Sequence, residues 1–174
     1  MVYQIQNDKP IKLNFICTHN SRRSQFSQIW AHVWGYYFNL PVQSFSGGVE
    51  VTEFNSRAVA ALRRDGFEIK AIGDSNPIYE LNFGKKQKPI LAYSKLFDDE
   101  SNPKVEFAAI MTCDHADENC PYIPGCEVRF PIRFEDPKIF DETPIERKMY
   151  SERSHEIASE LFYVFGQVHK LMKK

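Results

Sequence analysis

Lys12-Leu13-Asn14-Phe15-Ile16-Cys17-Thr18-His19-Asn20-Ser21-Arg22-Arg23-Ser24-Gln25-Phe26-Ser27-Gln28-Ile29-Trp30 decides the fold. An apolar run through Leu13, Phe15 and Ile16 ends at Cys17, a polar loop follows, and an amphipathic segment begins at about Arg22. The reading is strand, loop, helix. Backbone N–H groups of such a loop, together with the positive end of the helix dipole, form a site for a tetrahedral oxyanion. The same surroundings favour the thiolate form of a cysteine at the start of the loop. Cys17 is therefore the candidate nucleophile, Arg23 a bidentate clamp on the anion, and Ser24 a hydroxyl able to hydrogen-bond the thiolate.

Outward from this stretch, the pattern repeats. A strand is expected over about 11–17 and a helix from about Arg22 to Asn39, with Phe26, Ile29 or Trp30, Val33 and Tyr37 as its apolar stripe. Leu40-Pro41 ends it, and Val42 to Ser46 alternates as a second strand before Gly47-Gly48. A second helix runs from Asn55 as N-cap to Gly66 as C-cap residue. Strands alternating with helices over short connections predict a single α/β domain with a mostly parallel sheet and helices on both faces. Residues 1–10 read as a lead-in. Ile78–Phe83 and Ile90–Leu96 read as a hairpin with Gly84 and the lysines 85, 86 and 88 at its tip. Further strands are expected at Phe107–Met111 and Val128–Phe134, and a long helix from about Ile145 to Met172 with Ile157, Leu161, Val164, Val168 and Leu171 on one face, weakened at Gly166.

The bulk composition narrows the function classes. A chain of 174 residues is long enough for one well-buried core without a disulfide framework. With 22 basic against 23 acidic residues, no global field argues for nucleic acid or an anionic membrane, so any anion specificity must be local. No run of about 18 apolar residues is present, and the N-terminus carries no signal-peptide pattern. A cytoplasmic location is expected, where the four cysteines are reduced and chemically employed.

Two later segments bear on the chemistry. In open α/β sheets, sites form outside the carboxyl ends of the strands, and Cys113 ends a strand as Cys17 does. Seven residues on, Cys120 precedes Pro121. Were that segment helical, the two Cα atoms would lie roughly 10 Å apart, whereas a disulfide needs about 4.4–6.8 Å; a bond between them requires the segment to unwind. Asp136-Pro137 follows the last strand, where a carboxylic acid can reach the anion site and protonate a leaving oxygen. Asp-Pro is also ordinary turn chemistry, and only its position relative to Cys17 and Arg23 lifts it above that.

The loop Cys17-Thr18-His19-Asn20-Ser21-Arg22-Arg23-Ser24, the pair Cys113 and Cys120, and Phe134-Glu135-Asp136-Pro137 together resemble the thioredoxin-coupled arsenate reductases. That family shares its fold and anion loop with the low-molecular-weight protein tyrosine phosphatases; the loop motif is common to both, and the two later cysteines are specific to the reductases. The resemblance implies that residues 18–24 bind the oxyanion, that Cys17 attacks arsenate clamped by Arg23, and that Asp136 protonates the departing oxygen. Cys113 then attacks Cys17 and releases arsenite, and Cys120 resolves the disulfide for reduction by thioredoxin, with no tightly bound cofactor. Asn20 would brace the loop. The sequence departs from the pattern at His19, where glycine is usual, and at Arg22, where a small residue or cysteine is common; the hairpin at about 77–97 reads as an insertion, and Cys126 is an additional thiol.

Three other readings compete. A phosphatase acting on tyrosyl phosphate needs only Cys17, Arg23, Ser24 and Asp136, but Lys138 and Ile139 stand where aromatic residues usually wall the phenol, with Phe140 as a partial substitute. Zinc held by Cys113, His115, Cys120 and Cys126 lacks the usual close Cys-x-x-Cys pair. A module that binds phosphate without turnover would use the same loop and keep its affinity after Cys17→Ser.

Overall fold

A computed structural model of the chain describes residues 1–84, 87–119 and 122–173. Its centre is a four-stranded parallel sheet of β1 (Ile11–Cys17), β2 (Val42–Gly48), β6 (Phe107–Met111) and β7 (Cys126–Pro131) in the order β2-β1-β6-β7. β1 registers Leu13 against Ser44 and Ala108, so the strand that feeds the loop is central and paired on both sides. On one face, Leu13, Phe15 and Ile110 pack with α2 (Arg23–Tyr37), α3 (Ser56–Arg64) and α5 (Glu146–Met172) in the main core, which includes Phe26, Ile29, Leu62, Ile157 and Phe165. On the other, Ile16, Ala109 and Met111 meet Ala116 of α4 (Asp114–Asn119) and Ile123 in a smaller cluster. The alternation along β1 thus serves both layers, as a parallel sheet covered on both faces requires.

Several boundaries differ from the sequence reading, each for a local reason. Residues expected as a lead-in include a short helix, α1 (Val2–Gln6); its Ile5 and the preceding Met1 pack against the main core. The hairpin is part of a three-stranded antiparallel sheet, β3-β4-β5, in which β3 (Glu68–Ile72) pairs with β4 (Ile78–Asn82) and β4 with β5 (Ile90–Ala92). β3 has no buried residue, so it carries no burial pattern of its own and is held by its partner's ladder. Of the lysines expected at the hairpin tip, Lys88 is exposed, and Lys85 and Lys86 lie outside the described residues. The last strand runs Cys126–Pro131 rather than 128–134.

The helices show similar contrasts. α2 has no single stripe: Ser24 through Ala31 are all buried, because the helix is packed between the sheet and α5 and against the chain around β5. Its polar residues are satisfied inward, Gln25 donating to the carbonyls of Asn20 and Tyr93 and Gln28 to that of Leu91. α3 is capped as expected, with the Asn55 side chain accepting from the N–H groups of Arg57 and Ala58. α5 continues through Gly166, where the Phe38 ring occupies the space beside the missing side chain, while Leu171 is 54% exposed and lies off the buried face. Among the described residues no helix is long and apolar enough to cross a membrane.

Candidate active site

The loop between β1 and α2 is held by its carbonyls. Cys17 O accepts from Val49 N at 3.2 Å, Thr18 O from Glu50 N at 2.8 Å and Ser21 O from Asn55 N at 3.0 Å. His19 O accepts from the hydroxyls of Ser94 and Thr52, and Asn20 O from Gln25. The carbonyls of residues 17–21 are therefore all engaged by surrounding chain. The first N–H groups of a helix have no partner within it, which leaves those of the first turn of α2 available beside the loop. Close approach of the β2–α3 connection makes this possible: a Cβ on Gly48 would lie 2.8 Å from both Asn20 N and Thr18 O, and one on Gly47 would meet the backbone of Phe97 at 2.2 Å. Asn20 turns the loop with φ +47, a conformation asparagine tolerates.

The hydrogen-bond network leaves the Ser24 hydroxyl able to donate to the thiol. Asn20 Oδ1 accepts from Lys95 N at 3.0 Å, which points its amide nitrogen at Ser24 Oγ, 2.9 Å away. Ser24 Oγ lies 3.0 Å from Cys17 Sγ. As its oxygen already accepts from Asn20, its one proton is free to be donated to sulfur. Cys17, Asn20 and Ser24 are all buried.

The arginines and Asp136 close the cavity. Arg23 Nη2 donates to Asp136 Oδ2 at 2.8 Å and Nη1 to Phe134 O at 3.1 Å, while its Nε is buried without a hydrogen-bond partner among the described residues. Asp136 Oδ1 accepts from Lys138 N and caps the 3-10 turn Pro137–Phe140. Arg22, with only 11% of its side chain exposed, donates from Nε to Tyr150 Oη at 2.9 Å and lies 3.9 Å from both Asp136 and Asp141. Cys17, His19, Ser21, Arg22, Arg23 and Asp136 enclose about 10 Å³, room for about one water. Arg23 and Asp136 must part for a larger anion to enter. A polar cavity of about 590 Å³ adjoins it, sharing His19, Ser21 and Arg22 and walled by Phe54, Tyr79 and Lys138. His19 itself faces outward, 3.5 Å from Glu50.

The second thiol stands beside the loop. Cys113 is 1% exposed, its Sγ lies 3.5 Å from Thr18 Oγ1, and it accepts from Ala116 N at 3.4 Å. Thr18 Oγ1 is also 3.3 Å from His115 Nδ1. α4 begins immediately after Cys113 and is tied to β7 and its following loop by Asp114–Arg133 and by Asp117 with both Arg133 and Arg129. Cys120 lies outside the described residues. Cys126 starts β7, paired with Phe107 at the far end of β6 from Cys113. Among the described residues, no group of three or more His, Cys, Asp or Glu is placed to hold a metal ion.

Tyr150, Asp141 and Ser94 were missed by sequence reasoning. Tyr150 is a polar tip on an otherwise apolar helix face, which is the one signal that it gave; Ser94 and Asp141 gave none.

A central parallel sheet with Cys-x5-Arg-Ser at its first strand-to-helix turn and Asp-Pro beyond its last strand defines the class of low-molecular-weight phosphatase-like folds. The chain aligns with the low-molecular-weight phosphotyrosine phosphatase of Vibrio cholerae O395 at a TM-score of 0.61 with 13% identity, covering 90% of this chain and 95% of that one. A reduced-state arsenate reductase aligns at 0.55 with 17% identity, covering 91% and 98%. No family model matches the chain. Arsenate reductase 2 of Staphylococcus saprophyticus is 32% identical over 124 residues, which cover 71% of this chain and 76% of the relative. The chain belongs to the arsenate reductase family.

Proposed function

We propose that the protein reduces arsenate to arsenite through Cys17, Cys113 and Cys120, with thioredoxin as the final reductant. The observation that carries this reading is Cys113: a second buried thiol, 3.5 Å from the hydroxyl of the residue next to Cys17, has no part in ester hydrolysis and is needed for reduction. The outward-bonded loop carbonyls and the orphan Nε–H of Arg23 support an oxyanion as the ligand.

In this mechanism the Cys17 thiolate, receiving the Ser24 proton in a hydrogen bond, attacks arsenic. One arsenate hydroxyl leaves as water, protonated by Asp136 after that carboxylate, released by Arg23, has taken up a proton from solvent, and a sulfur–arsenic(V) bond remains. The Cys113 thiolate attacks Cys17 sulfur; the sulfur–arsenic bonding pair stays on arsenic, which leaves as arsenite, and a Cys17–Cys113 disulfide forms. Cys120 attacks Cys113, restoring the Cys17 thiolate. Thioredoxin's dithiol reduces the Cys113–Cys120 bond, supplying the two electrons that arsenic gained.

The test is arsenate-dependent NADPH oxidation with thioredoxin and thioredoxin reductase, run beside hydrolysis of a chromogenic aryl phosphate. Arsenate turnover that disappears in Cys113→Ser supports the relay, and Cys120→Ser should release arsenite once and accumulate the Cys17–Cys113 disulfide. Repeated turnover of Cys120→Ser with thioredoxin would sink the relay. Ester hydrolysis without arsenate turnover assigns Cys17, Arg23, Ser24 and Asp136 to a tyrosyl phosphatase instead.

A further inference from the structure

Arg22 stands half-buried at the cavity wall although the loop needs only one guanidinium to clamp an anion, and the residues that hold it there come from the opposite end of the chain. Its Nε–H is donated to Tyr150 Oη at 2.9 Å, and Tyr150 Oη lies 2.7 Å from Asp141 Oδ1. The directions are forced, since a guanidinium only donates and an ionised carboxylate only accepts. Asp141 is itself held, 3.8 Å from Arg57 Nη1, and Arg57 Nε pairs with Glu146 at 2.7 Å. Tyr150 is 0% exposed in the first turns of α5. Burial and the Asp141 carboxylate push its hydroxyl well above the ordinary tyrosine range, so it remains a donor.

We propose that Tyr150 is a positioning residue for oxyanion capture: braced on Asp141, its hydroxyl fixes Arg22 beside Arg23 as a second guanidinium suited to a dianion. This deepens the oxyanion reading of the loop and rests on it. Arg22 meets Asp136 and Asp141 at 3.9 Å, too long for hydrogen bonds, so its terminal N–H groups are not consumed by them. Arg23 must leave Asp136 to clamp a ligand. Arg22 then remains between the Asp136 and Asp141 carboxylates, the latter shared with Arg57, so it offers the anion a fixed second set of guanidinium donors rather than an excess of positive charge. An arginine already ordered by Tyr150 also loses less rotamer freedom on binding than a free one.

The experiment is calorimetric titration of inorganic phosphate at pH 8, where the dianion dominates, into the wild type, Tyr150→Phe, Arg22→Met and the double variant. Tyr150→Phe keeps the ring and its packing, and near-UV circular dichroism checks that each variant is folded. Losing one charge-assisted contact should weaken phosphate about tenfold in Arg22→Met, and losing only its positioning should weaken it roughly three- to fivefold in Tyr150→Phe. The double variant should bind as Arg22→Met does, because Tyr150 acts only through Arg22. The KM for arsenate should follow the same order, with kcat changed less. Unchanged affinity in Tyr150→Phe, or a double variant weaker than Arg22→Met by the full Tyr150→Phe factor, overturns the proposal while leaving the oxyanion site intact. A wild type that binds no phosphate overturns both.

Discussion

Lys95 is 5% exposed directly behind the anion loop, where its N–H braces Asn20 and its carbonyl accepts from Gly48. Its ammonium has no carboxylate within salt-bridge distance among the described residues and sits 4.4 Å from the centre of the Tyr93 ring. Burial pushes its pKa from 10.5 down to about 8, partly opposed by Asp99. Below about pH 8 both the folded and unfolded chains carry this proton, and the folded state bears the full cost of a buried charge. Between about 8 and 10.5 the unfolded chain binds more proton than the folded one, so the stability from this group rises with pH through that window and is lost again as pH falls to about 8. The shift corresponds to about 3 kcal/mol at pH 7. About 1 kcal/mol of cation–π attraction to Tyr93 offsets it. Lys95→Met keeps the length and the backbone contacts, so at pH 7 it should raise the unfolding free energy by about 2 kcal/mol. Urea unfolding at intervals from pH 6.5 to 10.5 measures the difference between the two proteins, which should shrink above pH 8 and nearly close by 10.5. A difference that is flat with pH, or a variant less stable at pH 7, would refute the assignment of a desolvated charge to Lys95.

Two further outcomes follow from the site. Asp136→Asn should slow turnover by about a hundredfold or more by removing the proposed proton donor, and should tighten phosphate several-fold, because Arg23 no longer has to leave an anionic partner; an unchanged rate removes Asp136 from the chemistry. Ser24→Ala removes the proton aimed at Cys17 and leaves the Asn20 amide buried without its acceptor, so alkylation of Cys17 by iodoacetamide at pH 7 should slow about tenfold and stability should fall by about 1–3 kcal/mol; equal alkylation rates would mean that Ser24 does not donate to the thiolate.

What was legible in the sequence was local. The apolar run of Leu13, Phe15 and Ile16, the polar loop and the cap at Asn55 each depend on neighbours a few residues away, and each appears where the pattern put it. β3 was invisible because Glu68–Ile72 has no buried residue, and its strand character comes from pairing with β4. α2 read as a one-sided helix, yet Ser24 to Ala31 are buried on all sides, since its second cover is α5, more than a hundred residues later. The site divides the same way. Cys17, Arg23 and Ser24 flank one short loop and were readable as a unit. The partners that orient them, Lys95 for Asn20 and Tyr150 for Arg22, are 75 and 128 residues distant, and a lysine backbone or a tyrosine hydroxyl carries no mark of that use.

The proposed relay has one structural demand that magnitudes can weigh. Six helical residues stand between Cys113 and Cys120, and a disulfide between those cysteines needs them unwound. A helix this short is well below the roughly 12–15 residues at which isolated helices become stable, so its backbone contributes little. Arg133 and Asp114 are 47% and 69% exposed, and a pair in that setting is worth about 0–1 kcal/mol. Asp117 is different: at 9% exposure, with Arg129 and Arg133 both against it, it resists release more strongly than any surface pair. Ala116, fully buried against Ile16 and Met111, adds the apolar part of the cost. All of these contacts favour the helix while the pair is reduced, and closing the Cys113–Cys120 bond must outweigh them. In the proposed relay, oxidation of the pair unwinds α4 and reduction lets it re-form. On this reading the ion pairs of Asp117 do not block the relay but return Cys113 to its place beside Thr18 once the bond is reduced.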